Sequence, residues 1–331
     1  MATNPLSLIA PLALLLAAAV AAEESPLTRI AFGSCIRQDR PAPIFAAVAA
    51  AKPELFILMG DNIYADTSDP AVFGKKYAQL QNHPDFAAVR NHVPLIGVWD
   101  DHDFGKNDAG RNFPAKPLAQ TAFLDFFGVP PTSPRRQQQG VYSAATYGPE
   151  GKQVRVILLD VRYHRDNPGP DADTLGEAQW QWLEHQLVTS PAQVNLIVSG
   201  IQVLPAEQRF EKWANFPKAK ARLLALLARN DVPEVILLSG DRHLAEISRD
   251  PATTGYPLHE VTSSSLNAPG KPNNEQNRQR IGENFTAVNF GTLTIDWQQS
   301  SLTLAIHDLA GTPQRSIVIP MPRSAAQRAR P

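Results

Sequence analysis

The feature that most constrains the fold is a repeated pattern, in which an apolar run ends in acidic, histidine or cysteine side chains. The clearest case is Leu55–Met59, which is followed by Gly60, Asp61 and, three residues further on, Tyr64. A short apolar run bounded by turn residues is typical of a buried strand. The pattern recurs at residues 30–35, 95–103, 154–160 and 235–243. Because α/β sheets bind ligands beyond the carboxyl ends of their strands, the pattern predicts a site built from several parallel strand ends.

Length and charge limit the fold and the ligand. The chain has 331 residues and is 43% apolar, which is ample for an α/β core. Its 31 Lys and Arg residues nearly balance its 32 Asp and Glu residues. Proteins that hold a nucleic-acid backbone carry a basic surface, so we expect no nucleic-acid partner. The oligomeric state stays open.

Residues 1–22 are predicted to be a secretory signal peptide. Residues 6–22 carry no charge, are dominated by leucine and alanine, and end in small residues. We therefore expect an exported protein, periplasmic or extracellular, that is cleaved near Ala22. The mature chain, residues 23–331, is predicted to be a single domain without stable membrane insertion. A buried or membrane-anchoring helix is the alternative, because no Lys or Arg precedes the apolar stretch.

The order of predicted elements indicates an α/β fold with two sheets inside and helices outside. Residues 28–59 read as a strand, a helix and a second strand, and such units have parallel strands with a right-handed crossover. A second unit is predicted over residues 195–239, and an antiparallel hairpin over residues 142–159. The segments 259–264, 291–297 and 302–307 alternate like strands. They predict a second sheet or an antiparallel extension.

Asp61 and Tyr64 lie three residues apart on a strand-to-loop turn, so both can point at one centre. A carboxylate can bridge two cations, a phenolate suits a trivalent ion such as iron, and two metals can clamp a phosphoryl displacement. Asp241 and His243 offer two further metal ligands, and Arg242 between them offers a cation for an anionic substrate. The alternatives are a turn cap with a core tyrosine, and an internal Asp241–Arg242 pair.

The segment 99–103 packs three carboxylates around His102. Like charges this close oppose ionisation unless a cation lies among them, which favours a metal over a solvated acidic loop. His102 is then a predicted general acid. The arginines Arg162, Arg165 and Arg242 are candidates for binding phosphate, because a planar guanidinium can hold two oxygens. For Arg162 we favour a structural pair with Asp160.

Cys35 is the only cysteine, so it cannot form a disulfide within the chain. A free cysteine is most often a small buried apolar residue. In an oxidising compartment an unprotected thiol is exposed to damage, and ligation as a thiolate would protect it. Its position at a strand end favours a metal ligand.

These motifs, in this order, resemble those of the alkaline phosphatase D (PhoD-like) family of metallophosphatases. The resemblance extends from Ile30 to about Asp308. It implies a four-layer α-β-β-α sandwich with mixed sheets and a small phosphate-ester substrate. It also implies a ferric ion held by Cys35, Asp61, Tyr64 and His243 and a second site, calcium in that family, that shares Asp61 and adds Asp101 and Asp241.

Ligand type favours calcium independently of the family. Related binuclear phosphoesterases carry neutral ligands, asparagine and histidine, where this chain has Asp101 and Asp241. Carboxylates make the second site harder, and hard sites prefer calcium to zinc or manganese.

The sequence therefore predicts an exported metal-dependent phosphatase or phosphodiesterase that uses a metal-bound hydroxide as nucleophile. The alternatives are a phospholipid headgroup hydrolase of the same family and a non-catalytic module that binds a phosphorylated ligand or calcium. The predicted metal ligands are Cys35, Asp61, Tyr64, Asp101, Asp241 and His243, and the predicted catalytic residues are His102, Asp101 and Arg242. The predicted substrate-binding residues are Arg242, Arg165 and Asn107, of which Asn107 is implied by the family resemblance alone.

Overall fold

The computed structural model describes residues 25–272 and 275–329, so the predicted signal peptide over residues 1–22 lies outside the described part. The strands are β1 (Arg29–Gly33), β2 (Leu55–Met59), β3 (Leu95–Val98), β4 (Ser143–Tyr147), β5 (Val154–Leu158), β6 (Val194–Ser199), β7 (Val235–Ser239), β8 (Ala245–Asp250), β9 (Leu258–Ser263), β10 (Phe290–Asp296), β11 (Ser301–His307) and β12 (Pro313–Pro320). The α-helices are α1 (Ile44–Ala50), α2 (Pro70–Gln81), α3 (Pro84–Arg90), α4 (Asp101–Phe104), α5 (Lys116–Phe126), α6 (Glu177–Val188), α7 (Pro217–Ala228) and α8 (Ala325–Arg328).

The strands form two mixed sheets of six strands each, which confirms the predicted α/β class. The first sheet has the order β12-β11-β10-β1-β2-β3, and its strands β1, β2 and β3 run parallel. The second has the order β4-β5-β6-β7-β9-β8, with β5, β6, β7 and β9 parallel. Both predicted strand-helix-strand units and the hairpin β4–β5 are therefore present.

The C-terminal strands only partly follow the prediction. The segment 259–264 forms β9, which pairs parallel with β7 in the second sheet. Strands β10, β11 and β12 instead extend the first sheet in antiparallel pairing beside β1. Strands β8 and β12 and helix α3 were not predicted. Helix α3 begins directly after His83, whose side chain accepts a hydrogen bond from the Asp85 N–H and so caps the helix.

Alternating side chains along each strand place the sheets face to face with helices outside. In β6, Leu196 and Val198 belong to the core between the two sheets, whereas Ile197 packs with Trp180 of α6 and Leu223 of α7 on the opposite face. The period of two explains why β6 is buried on both faces. On the first sheet, helices α1, α2, α3 and α5 supply the outer layer. The result is the predicted four-layer α-β-β-α sandwich.

The topology brings the carboxyl ends of the parallel strands of both sheets to one edge of the sandwich. The residues predicted to be functional follow β1, β2, β3, β5 and β7. Within residues 25–272 and 275–329, no helix has the length and apolar character needed to cross a membrane.

Candidate metal centre and catalytic pocket

Four of the predicted metal ligands meet at this edge. The Cys35 Sγ lies 3.4 Å from Asp61 Oδ2, and the Tyr64 hydroxyl lies 3.2 Å from the same oxygen. The Tyr64 hydroxyl is also 3.4 Å from His243 Nε2. Donor atoms at such separations fit around one cation at bond lengths of about 2.0–2.3 Å. Residues that are distant in the sequence therefore form one first cluster: Cys35, Asp61, Tyr64 and His243.

The backbone at these positions is strained in a common way. Cys35, Asp61, Asp241 and His243 all have left-handed backbone conformations, with φ between 49° and 69°. This region costs residues other than glycine about 1–3 kcal/mol, and such residues concentrate at functional sites. The strain arises because each chain turns sharply at a strand end while its side chain points back into the site. Gly60 leaves the necessary space, since a Cβ there would lie 2.5 Å from the Asp100 Cβ.

A second cluster adjoins the first and consists of Asp100, Asp101 and Asp241, whose nearest carboxylate oxygens lie within 4.8 Å of one another. Asp100 and Asp101 are buried, and Asp241 is partly buried. Asp100 Oδ2 and Asp101 Oδ1 are buried and have no hydrogen-bond partner within residues 25–272 and 275–329. Buried polar atoms are almost always paired, so unpartnered carboxylate oxygens in a cluster of three aspartates fit a cation with oxygen ligands.

The electrostatics of the carboxylates support this fit. Burial raises the pKa of Asp61 well above its ordinary value, and the charge on Asp101 adds to the effect. Burial, again with Asp101, raises the pKa of Asp241 to about 7. Burial acts in the same direction on Asp101, but Arg162 and His102 outweigh it and hold the pKa below its ordinary value. Ionising the whole group at neutral pH therefore calls for additional positive charge.

Asp103 does not take part in this arrangement. Its carboxylate accepts hydrogen bonds from the backbone N–H of Asp100 at 2.6 Å and from the Asn62 side chain at 2.5 Å, and the Tyr77 hydroxyl donates at 3.4 Å. It closes the first turn of α4 as a helix cap. The Asp103 carboxylate is therefore engaged by the capping box of α4, while its charge still helps to raise the pKa of Asp61 and of His102.

His102 lies beside the first cluster with its ring oriented by two neighbours. Its Nδ1 lies 2.6 Å from Asp66 Oδ1, and its ring packs against that of Tyr64 with centroids 4.3 Å apart. Burial acts to lower the pKa of His102, but Asp66 and Asp101 outweigh it and raise the pKa above its ordinary value. A carboxylate at Nδ1 leaves Nε2 to hold the transferable proton. Asp66 was not predicted from the sequence, although it lies only two residues beyond Tyr64.

Arg162 is fully buried, and the partner predicted for it is wrong. Its Nε donates to Asp100 Oδ1 at 2.6 Å, and its Nη1 lies 2.5 Å from Glu211 Oε2. Asp160 instead accepts the backbone N–H of Arg162 at 2.8 Å. The Arg162 side chain extends away from its own turn and crosses to the end of β3. Its structural role stands, and it compensates the charge of the second cluster.

Arg165 and Arg242 line a cavity of about 620 Å³ in front of the two clusters. Asn107, His102, Asp101, Asp241 and His243 also line it. Arg165 is buried, forms an ion pair with Glu211 and lies 5.2 Å from the centre of the Phe216 ring. The structure thus brings every predicted substrate-binding residue to one cavity.

His243 is held by the loop that follows β9. Its Nδ1 contacts the Ala268 carbonyl oxygen, and its backbone N–H donates to Ser264 Oγ at 2.9 Å. The same Ser264 Oγ lies 3.1 Å from Cys35 Sγ. A hydrogen bond at Nδ1 fixes the tautomer and presents Nε2 to the cluster, as is usual for metal-binding histidines. Burial lowers the pKa of His243, which favours the neutral, metal-binding form.

Solved structures with this architecture define the class of protein. The chain is similar to a structure of PhoD, with 17% identity and a TM-score of 0.73 over 92% of this chain and 71% of that one. It is also similar to the purple acid phosphatase PPD1 from yellow lupin (Lupinus luteus) seeds, with 13% identity and a TM-score of 0.67 over 90% of this chain and 54% of that one. The fold is therefore that of the metallophosphatases.

The sequence places the chain more narrowly. The sequence model of the PhoD-like phosphatases matches residues 30–304, so the chain belongs to the PhoD-like phosphatase family. Alkaline phosphatase D of Bacillus subtilis (strain 168) is 23% identical over 274 residues, which are 66% of this chain and 46% of that protein. The chain thus spans about half the length of this curated relative.

Proposed function

We propose that the protein is a metal-dependent phosphoesterase that hydrolyses phosphate mono- or diesters. The observation that carries the proposal is the convergence of Cys35, Asp61, Tyr64 and His243 beside a cluster of carboxylates, at the mouth of a cavity lined by arginines. Cations held by these anionic and imidazole ligands would place positive charge where a phosphate ester would be bound.

The ligand types support iron at the first cluster and calcium at the second. Thiolate, phenolate and imidazole together suit a ferric ion, with Asp61 as the ligand shared between the sites. Asp101 and Asp241 supply the carboxylate oxygens that calcium prefers. When bound, the two cations would acidify a water molecule and neutralise charge on the phosphate.

The remaining side chains have distinct roles in this proposal. Arg242 binds the nonbridging phosphate oxygens, and Arg165 and Asn107 contact the substrate from the cavity wall. His102 donates a proton from Nε2 to the leaving oxygen. Asp66 accepts the hydrogen bond from His102 Nδ1 and holds the ring in position.

A non-catalytic module that binds a phosphorylated ligand or calcium would use the same scaffold, because fold does not determine activity. The complete ligand set favours hydrolysis over binding alone. A protein that only captured its ligand would have no need of the Asp66–His102 pair beside the first cluster.

Export is also part of the proposal. It rests on the apolar stretch of residues 6–22 with its small-residue end. We further propose that residues 23–331 act as one PhoD-like domain after cleavage near Ala22.

The experiment is a metal inventory by mass spectrometry combined with an assay of p-nitrophenol release from aryl phosphate mono- and diesters. We expect bound iron and calcium and hydrolysis of at least one ester. Purified protein that contains neither metal and releases no p-nitrophenol would contradict the proposal.

A further inference from the structure

Arg242 is held by contacts from two loops that are far apart in the sequence. Its side chain is only 5% exposed although it lines the catalytic cavity. One contact is the ring of Phe210, whose centre lies 4.4 Å from the Arg242 guanidinium carbon. The other is Glu275, whose carboxylate forms an ion pair with Arg242 Nη2. Phe210 belongs to the loop of residues 200–212 and Glu275 to the loop of residues 275–289.

Phe210 is 44% exposed and lies outside both apolar cores of the described chain. Its position is nevertheless defined. Its backbone N–H donates to Gln208 Oε1 at 2.5 Å, and its carbonyl oxygen accepts from Lys212 Nζ at 3.1 Å. Gln208 is in turn buried and donates to the Glu211 carbonyl oxygen at 3.0 Å. A ring fixed at the rim of a polar cavity stabilises a cation over its face.

Glu275 is also anchored. Its carbonyl oxygen accepts a hydrogen bond from Arg280 Nη2 at 3.0 Å, and Arg280 forms an ion pair with Glu246 of β8. Asn277 Nδ2 donates to the same Glu246 side chain at 3.1 Å. The loop is thereby tied to the second sheet, and the Glu275 carboxylate is presented to Arg242 from a fixed position.

We propose that Phe210 and Glu275 are positioning residues that hold the Arg242 guanidinium in the orientation in which it receives the phosphate oxygens. The inference rests on the proposed function, which gives Arg242 its role. An unrestrained arginine would lose rotational freedom each time it bound an anion. The ring below and the carboxylate at Nη2 remove that freedom beforehand, and the other N–H groups of the fork remain for phosphate.

The test compares Phe210→Leu and Glu275→Gln with Phe210→Tyr, which keeps the ring. Each is measured by the KM for p-nitrophenyl phosphate and by the calorimetric Kd for inorganic phosphate on protein purified with its metals. We expect Phe210→Leu to raise both constants about 2- to 30-fold, which is the strength of a cation–π contact. Glu275→Gln should also raise both constants, because a neutral amide holds the guanidinium less strongly than a carboxylate. Phe210→Tyr should stay within about 2-fold of wild type.

Matched controls come from the same loops. Glu207→Gln removes the charge of a carboxylate that pairs with the exposed Arg278, and Glu283→Gln removes the charge of a carboxylate that is 90% exposed. Neither should change the Kd. In the Arg242→Gln background, Phe210→Leu and Glu275→Gln should produce no further loss, because the residue they position is gone.

Three results would overturn the inference. The first is an unchanged KM and Kd in Phe210→Leu and Glu275→Gln. The second is tighter phosphate binding in Glu275→Gln, which would make Glu275 a competitor of phosphate. The third is that the two substitutions weaken phosphate binding in the Arg242→Gln background as much as they do in the wild type. Phosphate calorimetry needs no turnover. A wild type that binds phosphate without hydrolysing esters would therefore defeat the proposed function while leaving the positioning role testable.

Discussion

The two sheets contribute different chemistry to one site. The strands β1, β2 and β3 of the first sheet lead into most of the side chains that we propose as metal ligands, Cys35, Asp61, Tyr64 and Asp101. The strands of the second sheet lead into the buried arginines Arg162, Arg165 and Arg242 as well as Asp241 and His243. The first side accumulates negative charge in a buried setting, and the second brings positive charge to it. The segment that follows β7 contains both kinds of residue, Asp241 and Arg242.

This difference shows why the site depends on the interface between the sheets. Arg162 reaches from the end of β5 to Asp100 beyond β3, and Tyr64 beyond β2 meets His243 beyond β7. Charges buried between the sheets are strongly unfavourable unless they are paired, and the ion pair of Arg162 with Asp100 supplies part of that pairing across the interface. Packing the sheets therefore builds the core and assembles the site in one step.

The largest effect is expected from removing the ligand that belongs to both halves of the centre. Asp61 contacts Cys35 and Tyr64, and its carboxylate also lies within 4.8 Å of ligand atoms of Asp101 and His102. Asp61→Ala should abolish hydrolysis of p-nitrophenyl phosphate and bound iron together. Loss of a residue that only hydrogen-bonds to a metal ligand already lowers metal affinity or activity about 10- to 100-fold. The control is Asp231→Ala, a surface residue paired with Arg229; retained iron in Asp61→Ala would break the comparison.

A smaller loss is expected for the proton donor of the first sheet. His102→Gln should lower kcat about 10²- to 10⁴-fold for an alkyl phosphate, because a poor leaving group needs a proton. The loss should be much smaller for a p-nitrophenyl ester, whose leaving group is stable as an anion. His185→Gln on the exposed face of α6 serves as the control. Equal losses for both esters would show that His102 does not act as the acid.

The free energy of unfolding should depend on Arg162, the buried arginine that follows β5 of the second sheet. Arg162 pairs with Asp100 and Glu211, and all three side chains are at most 3% exposed. Arg162→Met should lower the free energy of unfolding by about 3–5 kcal/mol, since it leaves buried carboxylates unpaired. The surface pair of Arg229 with Glu184 provides the contrast, and Arg229→Met should cost about 0–1 kcal/mol. Similar urea midpoints for the two variants would contradict a role for Arg162 in charge compensation.

The smallest effect is expected at the residue that orients His102. Asp66→Asn keeps the size of the side chain and can still contact His102 Nδ1, but it removes the charge. We expect kcat to fall about 10- to 100-fold, as for other second-layer carboxylate–histidine pairs. The same variant made together with His102→Gln should show no additional loss for alkyl esters. An additive loss would mean that Asp66 acts independently of the histidine.

Much of the fold could be predicted because buried parallel strands read as continuous apolar runs. Strands β2 and β7 are buried at every position and were identified in this way. Strand β8 could not be, because it carries Glu246, a charged residue whose burial is compensated by Gln202, Asn277 and Arg280 from other parts of the chain. Strand β12 is a partly exposed edge strand with a proline at each end, so it shows neither a continuous apolar run nor burial at every position.

The same reasoning separates the parts of the site. Cys35, Asp61 and His243 could be predicted as site residues because each lies two to four residues beyond the end of a strand, where the topology brings the strand ends together. Phe210 and Glu275 lie in long loops, and periodicity says nothing about the path of a loop. The Arg162 partner was misjudged for a similar reason. Local spacing favoured Asp160 as the partner of Arg162. The long Arg162 side chain instead forms its ion pair with the buried carboxylate of Asp100, which is distant in the sequence.

The central claim is that Cys35, Tyr64 and His243 share one cation. The most direct measurement is the iron content, by inductively coupled plasma mass spectrometry, of wild type and of Cys35→Ser, Tyr64→Phe and His243→Ala, all purified without added metal. The account predicts stoichiometric iron in the wild type and a marked loss in each of the three variants. Wild type without iron, or variants that keep the full wild-type content, would contradict it.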